Sequence, residues 1–309
     1  MRSPSRADEV RDAVRRHLPG SFDLDAQLEF VVLDLEKDAG WNEALAGVDA
    51  LMHTASPFPL AQPRDPAELV RPAVEGTLRA LRAARAAGVK RAVVTGSIAS
   101  IANRELPQGR PFDESDWSKP DYPTTTPYAL SKLEAERAAW KFVEEHAPSL
   151  KLTVINPGFV LGAPLDRNYG TSLSVIERFM KGRDPMLPDV GLVSVDVRDI
   201  ARMHVLALET PASSGKRILG AAEFLSFRDM ALAIKARFPE RRIPTRVAPH
   251  LLIRMLGLFD KSIAVIIPSL GRREEASREL ARSLFGIMFR DPRESVAEAA
   301  EFMVANRIV

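Results

Sequence analysis

Short runs of consecutive apolar residues alternate along this chain with longer stretches in which apolar side chains recur every three or four positions. The runs at 28–33, 50–54, 91–95 and 152–156 read as strands of a parallel sheet covered on both faces. Between the second and third, 65–87 carries Leu69, Val74, Leu78 and Leu81 at helical spacing and stops at Gly88. A second long helical stretch opens at Tyr128 and runs to about His146, ending before Pro148. Strand and helix alternating in this way predict an α/β fold, a doubly wound parallel sheet with helices on both faces.

After Asn156 the texture changes: Pro157, Gly158, Gly162, Pro164 and Gly170 mark a long loop. Loops leaving the carboxyl ends of parallel strands carry the ligand contacts in such sheets. A strand at 192–195 and a helix at 198–208 are expected to return to the sheet. The remainder reads as mostly helical, with candidates at 226–238, 250–258, 273–285 and 292–305. The chain therefore divides into a sheet domain, 1–156 with 190–222, and a small, mostly helical substrate-binding lobe, 157–189 with 223–309.

Composition narrows the functional classes. At 309 residues and 46% hydrophobic, the chain can bury a large core. A net charge of +2 gives no field that argues for nucleic acid. Cysteine is absent, which excludes disulfides, thiolate chemistry and Cys-ligated zinc and is compatible with a cytoplasmic protein. His17, His53, His146, His204 and His250 are scattered without ligand spacing, so no metal is expected. No apolar leader follows Met1, so secretion is not expected. The stretch 251–270 is interrupted by Arg254, Asp260 and Lys261, too polar for a membrane span; it is expected to cover a pocket or pack on another subunit.

The chemistry concentrates in three residues. Tyr128 and Lys132, four apart at the start of a helix, share one face and project a phenol and an ammonium into the same pocket. The cation is expected to lower the Tyr128 pKa and ease exchange of its proton with a substrate oxygen. Ser97 closes the third strand, where it could also act as a plain cap.

These pieces, in order, resemble the extended short-chain dehydrogenase/reductase family, especially its dihydroflavonol reductase, cinnamoyl-CoA reductase and aldehyde reductase-like branch. The matching runs are Val31-Val32-Leu33-Asp34-Leu35, His53-Thr54-Ala55-Ser56-Pro57, Val74-Glu75-Gly76-Thr77, Thr95-Gly96-Ser97, Tyr128 to Lys132, Asn156-Pro157-Gly158 and Asp196-Val197-Arg198-Asp199-Ile200-Ala201. The resemblance implies a Rossmann-like sheet domain and a catalytic trio. Ser97 would hydrogen-bond a carbonyl, Tyr128 would donate a proton, and Lys132 would bind the nicotinamide ribose and tune the tyrosine. It further implies adenine contacts from Asp34 and Leu35, a dinucleotide-lining turn at Thr54, Ala55 and Ser56, and a nicotinamide loop at Pro157, Val160 and Ser172. Arg2 and Arg6 would grip a 2′-phosphate, so NADP is preferred to NAD. A homodimer through the helices at 65–87 and 128–146 is implied as well.

Two features depart from that pattern. The glycine-rich phosphate turn of a dinucleotide fold is missing from the sequence, making the expected sheet N-terminally incomplete. Gly96 stands where a serine often precedes the catalytic one, a change expected to be tolerated because Ser97 keeps the hydroxyl. The leading expectation is an NADP-dependent reductase of a small-molecule aldehyde or ketone. A nucleotide-sugar epimerase or dehydratase uses the same Tyr/Lys pair, but Phe58, Leu60, Trp117 and 251–267 suggest a more apolar ligand. A non-catalytic homologue with impaired cofactor binding is the third reading.

Overall fold

In the computed structural model, residues 6–57, 63 and 65–309 are described; Arg2, Phe58 and Leu60 lie outside them. Helix α1 (Ala7–Arg15) and the single turns α2 (Leu24–Gln27) and α3 (Trp41–Ala44) precede β1 (Ala50–His53), α4 (Ala67–Ala86), β2 (Arg91–Thr95), α5 (Pro127–His146) and β3 (Lys151–Pro157). Then come β4 (Phe159–Leu161), α6 (Thr171–Lys181), β5 (Gly191–Asp196), α7 (Val197–Glu209), β6 (Lys216–Gly220), β7 (Glu223–Ser226) and α8 (Phe227–Arg237). The C-terminal part holds α9 (His250–Gly257), α10 (Lys261–Ala264), α11 (Glu279–Phe285) and α12 (Pro292–Ala305).

Four strands form a parallel sheet in the order β1-β2-β3-β6. Side chains along a strand point alternately to its two faces, and the sequence exploits this. Ala92, Val94, Leu152 and Val154 pack on Leu81 and Ala84 of α4 and Ala139 and Phe142 of α5. Val93, Ile155 and Ile218 point the other way, onto Met203 and Ala207 of α7 and Ala281 and Phe285 of α11. Both faces are covered by helices, which is the doubly wound arrangement.

The expected strand at 192–195 exists as β5, but it does not return to this sheet. It pairs with β4 in parallel and with β7 antiparallel, forming a separate three-stranded sheet, while β6 takes the place beside β3. Two adjacent residues explain the switch. Pro157 ends β3 without an N–H to extend the ladder, and Gly158 passes so close to β5 that a Cβ there would lie 2.4 Å from the Val193 carbonyl oxygen. The chain bends at this point and enters the second sheet, whose core is completed by α6, α8 and α12. The lobe is thus built on strands as well as helices.

The run at 28–33 is also not a strand. Its apolar run suits one, but a strand needs a neighbour to complete its backbone hydrogen bonds. Among the described residues the sheet ends at β1, and no strand pairs with 28–33. Val31 and Val32 are left exposed.

Helix ends follow the local chemistry. Thr126 accepts a hydrogen bond from the Ala129 amide at 3.2 Å and Pro127 opens the first turn, which starts α5 one residue before Tyr128. Asp196 caps α7, holds the Arg198 guanidinium at 2.7 Å and accepts from Ser295 of α12 at 2.6 Å. That aspartate ties the two sheets' helices together. Among the described residues no helix is long and apolar enough to cross a membrane.

Gly158→Ala should destabilise the fold by about 1–3 kcal/mol, the usual range for forcing a methyl into a packed site. Urea unfolding followed by circular dichroism would show the loss as a lower midpoint.

Candidate active site

The carboxyl end of β2 and the first turns of α5 meet at one point. Ser97 follows β2 in extended conformation and caps the turn at 98–100, its Oγ accepting from the Ala99 amide at 3.1 Å. Because that oxygen accepts locally, its proton is free to be donated outward. Ser97 and the Tyr128 phenol are joined by a side-chain hydrogen bond. One turn further along α5, Lys132 places its ammonium 5.7 Å from the centre of the Tyr128 ring. The three groups singled out in the sequence converge.

Their electrostatics differ from expectation in one respect. Burial raises the Tyr128 pKa above its ordinary value, and the Ser97 hydrogen bond only partly opposes it. The lowering expected from Lys132 is not what prevails, because removal from water penalises the phenolate more. Lys132 is itself buried and is pushed down to about 8 by that burial alone. At neutral pH the phenol holds its proton and the lysine still carries its charge.

Behind Lys132 lies His53, at the end of β1. It is buried, its Nε2 has no hydrogen-bond partner among the described residues, and its pKa falls to about 4 through burial first and the Lys132 charge second. His53, Ala55, Ser56, Gly96, Lys132 and Glu136 line a small cavity of about 10 Å³, on the order of the space one water needs.

The remaining expected positions divide. Thr54 and Ala55 are exposed at the carboxyl end of β1, and Ser56 and Ala55 share the Lys132 cavity. Pro157 ends β3 next to Asn156, whose Oδ1 accepts from the Ser97 amide at 2.8 Å. Val160 is half-buried in β4, and Ser172 is half-buried in the first turn of α6. Leu35 is a core residue packed with Trp41, Leu45 and Leu81, while Asp34 accepts from the Glu36 amide at 3.0 Å. Arg6 lies 3.5 Å from Glu9 and 3.6 Å from Asp166. Trp117, read as a pocket wall, instead lies flat against the Arg217 guanidinium at 3.5 Å.

Two buried polar residues near the trio, Glu136 and Asn156, were assigned no role from the sequence, although Asn156 stands in one of the matching runs. Glu136 was detectable: Tyr128, Lys132 and Glu136 continue one spacing of four along the same helical face. Asn156 gave no such signal.

The donor set suits the nicotinamide half of a dinucleotide. Burial accounts for the Lys132 shift, and a buried ammonium favours a ligand rich in oxygen acceptors. A doubly wound sheet bearing serine, tyrosine and lysine at its carboxyl edge defines a dinucleotide-using enzyme. The model of the NAD dependent epimerase/dehydratase family matches residues 4–220. Cinnamoyl-CoA reductase 1 of Arabidopsis thaliana is 35% identical over 245 residues, covering 77% of this chain and 67% of that protein. Tetraketide alpha-pyrone reductase 1 of the same plant is 32% identical over 263 residues, covering 82% and 77%. The yeast methylglyoxal/isovaleraldehyde reductase Gre2, solved with NADPH, superposes with a TM-score of 0.80 at 23% identity, over 100% of this chain and 91% of that one. The chain belongs to the NAD dependent epimerase/dehydratase family, within its extended short-chain dehydrogenase/reductase branch.

The His53 site carries a pH signature. The unfolded imidazole titrates near 6.5 and the folded one near 4, so the unfolded chain binds the proton more tightly across that window and stability falls as pH drops through it. The loss should reach roughly 3 kcal/mol near pH 4. Denaturant titrations between pH 7 and 4 should show a flatter acid limb in His53→Met.

Proposed function

We propose that this protein is an NADP-dependent oxidoreductase that reduces the carbonyl of an aldehyde or ketone to an alcohol, with Tyr128 as the proton donor. The observation that carries the reading is the Ser97–Tyr128 hydrogen bond beside the buried Lys132. The names of its relatives, cinnamoyl-CoA and tetraketide pyrone reductases, and the NADPH in the Gre2 structure support carbonyl reduction over sugar-nucleotide chemistry.

Bound NADPH supplies the hydride. As negative charge grows on the carbonyl oxygen, the Ser97 hydroxyl and the Tyr128 phenol are the donors placed to meet it, and a preoriented donor in a site shielded from water stabilises such charge strongly. Tyr128 enters the reaction protonated because burial raises its pKa. Once it gives up that proton, the Lys132 ammonium offsets the phenolate charge. Lys132 also fits the ribose hydroxyls, with Thr54, Ala55, Ser56, Pro157, Val160 and Ser172 along the dinucleotide and Asp34 toward the adenine, while the buried Leu35 side chain serves the core. Arg6, with Arg2, would take the 2′-phosphate; its contacts with Glu9 and Asp166 are partly exposed and cost about 0–1 kcal/mol to exchange.

Tyr128→Phe should lower kcat by about 100- to 10,000-fold, the span general acid catalysis contributes, with NADPH binding by calorimetry unchanged. Turnover at the wild-type rate would remove Tyr128 from the role. A panel of UDP-sugars beside simple aldehydes, with NADPH oxidation and sugar conversion followed together, tests the reaction class.

The rate of reduction should fall as pH rises through about 8, because Lys132 loses its charge there while Tyr128, shifted upward, stays protonated. In Lys132→Met the whole profile should be lower and this limb absent.

A further inference from the structure

Directly behind Ser97 lies a buried polar network that the proposed reaction does not use. Asn156, fully buried, accepts from the Ser97 amide through Oδ1 at 2.8 Å and donates through Nδ2 to Glu136 Oε1 at 3.3 Å. Glu136, 2% exposed, also accepts from Arg217 Nε at 2.6 Å and Nη2 at 3.2 Å, from Trp140 Nε1 at 3.3 Å and from the Ser100 hydroxyl. Arg217 Nη1 donates to the carbonyls of Glu114 at 3.0 Å and Asp116 at 2.6 Å, and the guanidinium stacks on Trp117. The network thus links β2, β3, α5, β6 and the 114–117 loop.

A buried ion pair of this kind adds little net stability, since taking both charges out of water offsets most of their attraction. What it does supply is a single geometry, because every donor and acceptor has one partner arrangement. Gly96 is part of the same fit. A Cβ at Gly96 would lie 2.1 Å from Asn156 Oδ1, so the missing side chain is the space through which Asn156 reaches the Ser97 backbone. Glycine at this position is therefore a requirement of this packing.

Resting on the reductase reading, we infer that Asn156 and Glu136, clamped by Arg217, are positioning residues that fix the Ser97 backbone and so the angle at which its hydroxyl meets Tyr128 and the substrate carbonyl. They touch neither substrate nor cofactor and act through Ser97.

The test combines backbone exchange with kinetics. Asn156→Ala, with the volume-preserving Asn156→Leu beside it in case the first fails to fold, should speed amide hydrogen exchange in the 96–99 segment at least tenfold by mass spectrometry. Exchange in β3 and α5 should stay within twofold. kcat should fall at least tenfold while NADPH affinity holds within twofold. In a Ser97→Ala background, Asn156→Ala should cost no more than a further twofold. Gly96→Ala alone should reproduce the tenfold loss. Unchanged exchange at 96–99 in the Asn156 variants overturns the inference, as does a full tenfold loss in the Ser97→Ala background. If the wild-type chain oxidises NADPH with no carbonyl, the functional reading fails while the exchange result alone still decides the brace.

Discussion

One face of α5 carries a phenol, an ammonium and a carboxylate on successive turns; the ammonium and the carboxylate are buried and the phenol is half-buried. Burying such a set is costly unless each group finds its own partner. The carboxylate is fully served by Arg217, Asn156, Ser100 and Trp140. The phenol meets Ser97. The ammonium lines a small cavity with His53 at the end of β1 and Gly96 just after β2. The helix is therefore satisfied on its inner turn by the protein itself, while its first turns carry the two groups assigned to the proposed reaction.

Much of this was legible in the sequence because it depends on local rules. The bounds of α12 and of β2 coincide with the expected 292–305 and 91–95, and α4, α7 and α8 lie within a residue or two of their expected ends. Pro127, Gly88 and Pro292 are local punctuation, and strands covered on both faces announce themselves as unbroken apolar runs. The trio Ser97, Tyr128 and Lys132 was legible through spacing and order.

What escaped depends on distant partners. The 28–33 run has the pattern of a strand, but pairing is a property of the neighbour, and among the described residues β1 is the edge. The destination of β5 turned on how closely Gly158 approaches Val193, which no window of sequence contains. The direction of the Tyr128 shift depended on how deeply the phenol sinks, and Trp117 looked like a pocket wall because its partner, Arg217, is 100 positions away. Charge pairs and desolvation are set by tertiary packing, so spacing alone ranks them poorly.

The chain passes from the parallel sheet to the smaller one at Gly158, comes back through α7 to β6, and leaves again for β7. The smaller sheet is therefore sewn from segments separated by pieces of the larger one, and Asp196 is bound by residues of both α7 and α12. Neither half is a module that could be cut out and exchanged at a single junction. Divergence of ligand preference in such an architecture has to proceed by point changes and loop remodelling within an inherited frame, since recombination would sever the threads that hold the two halves as one body.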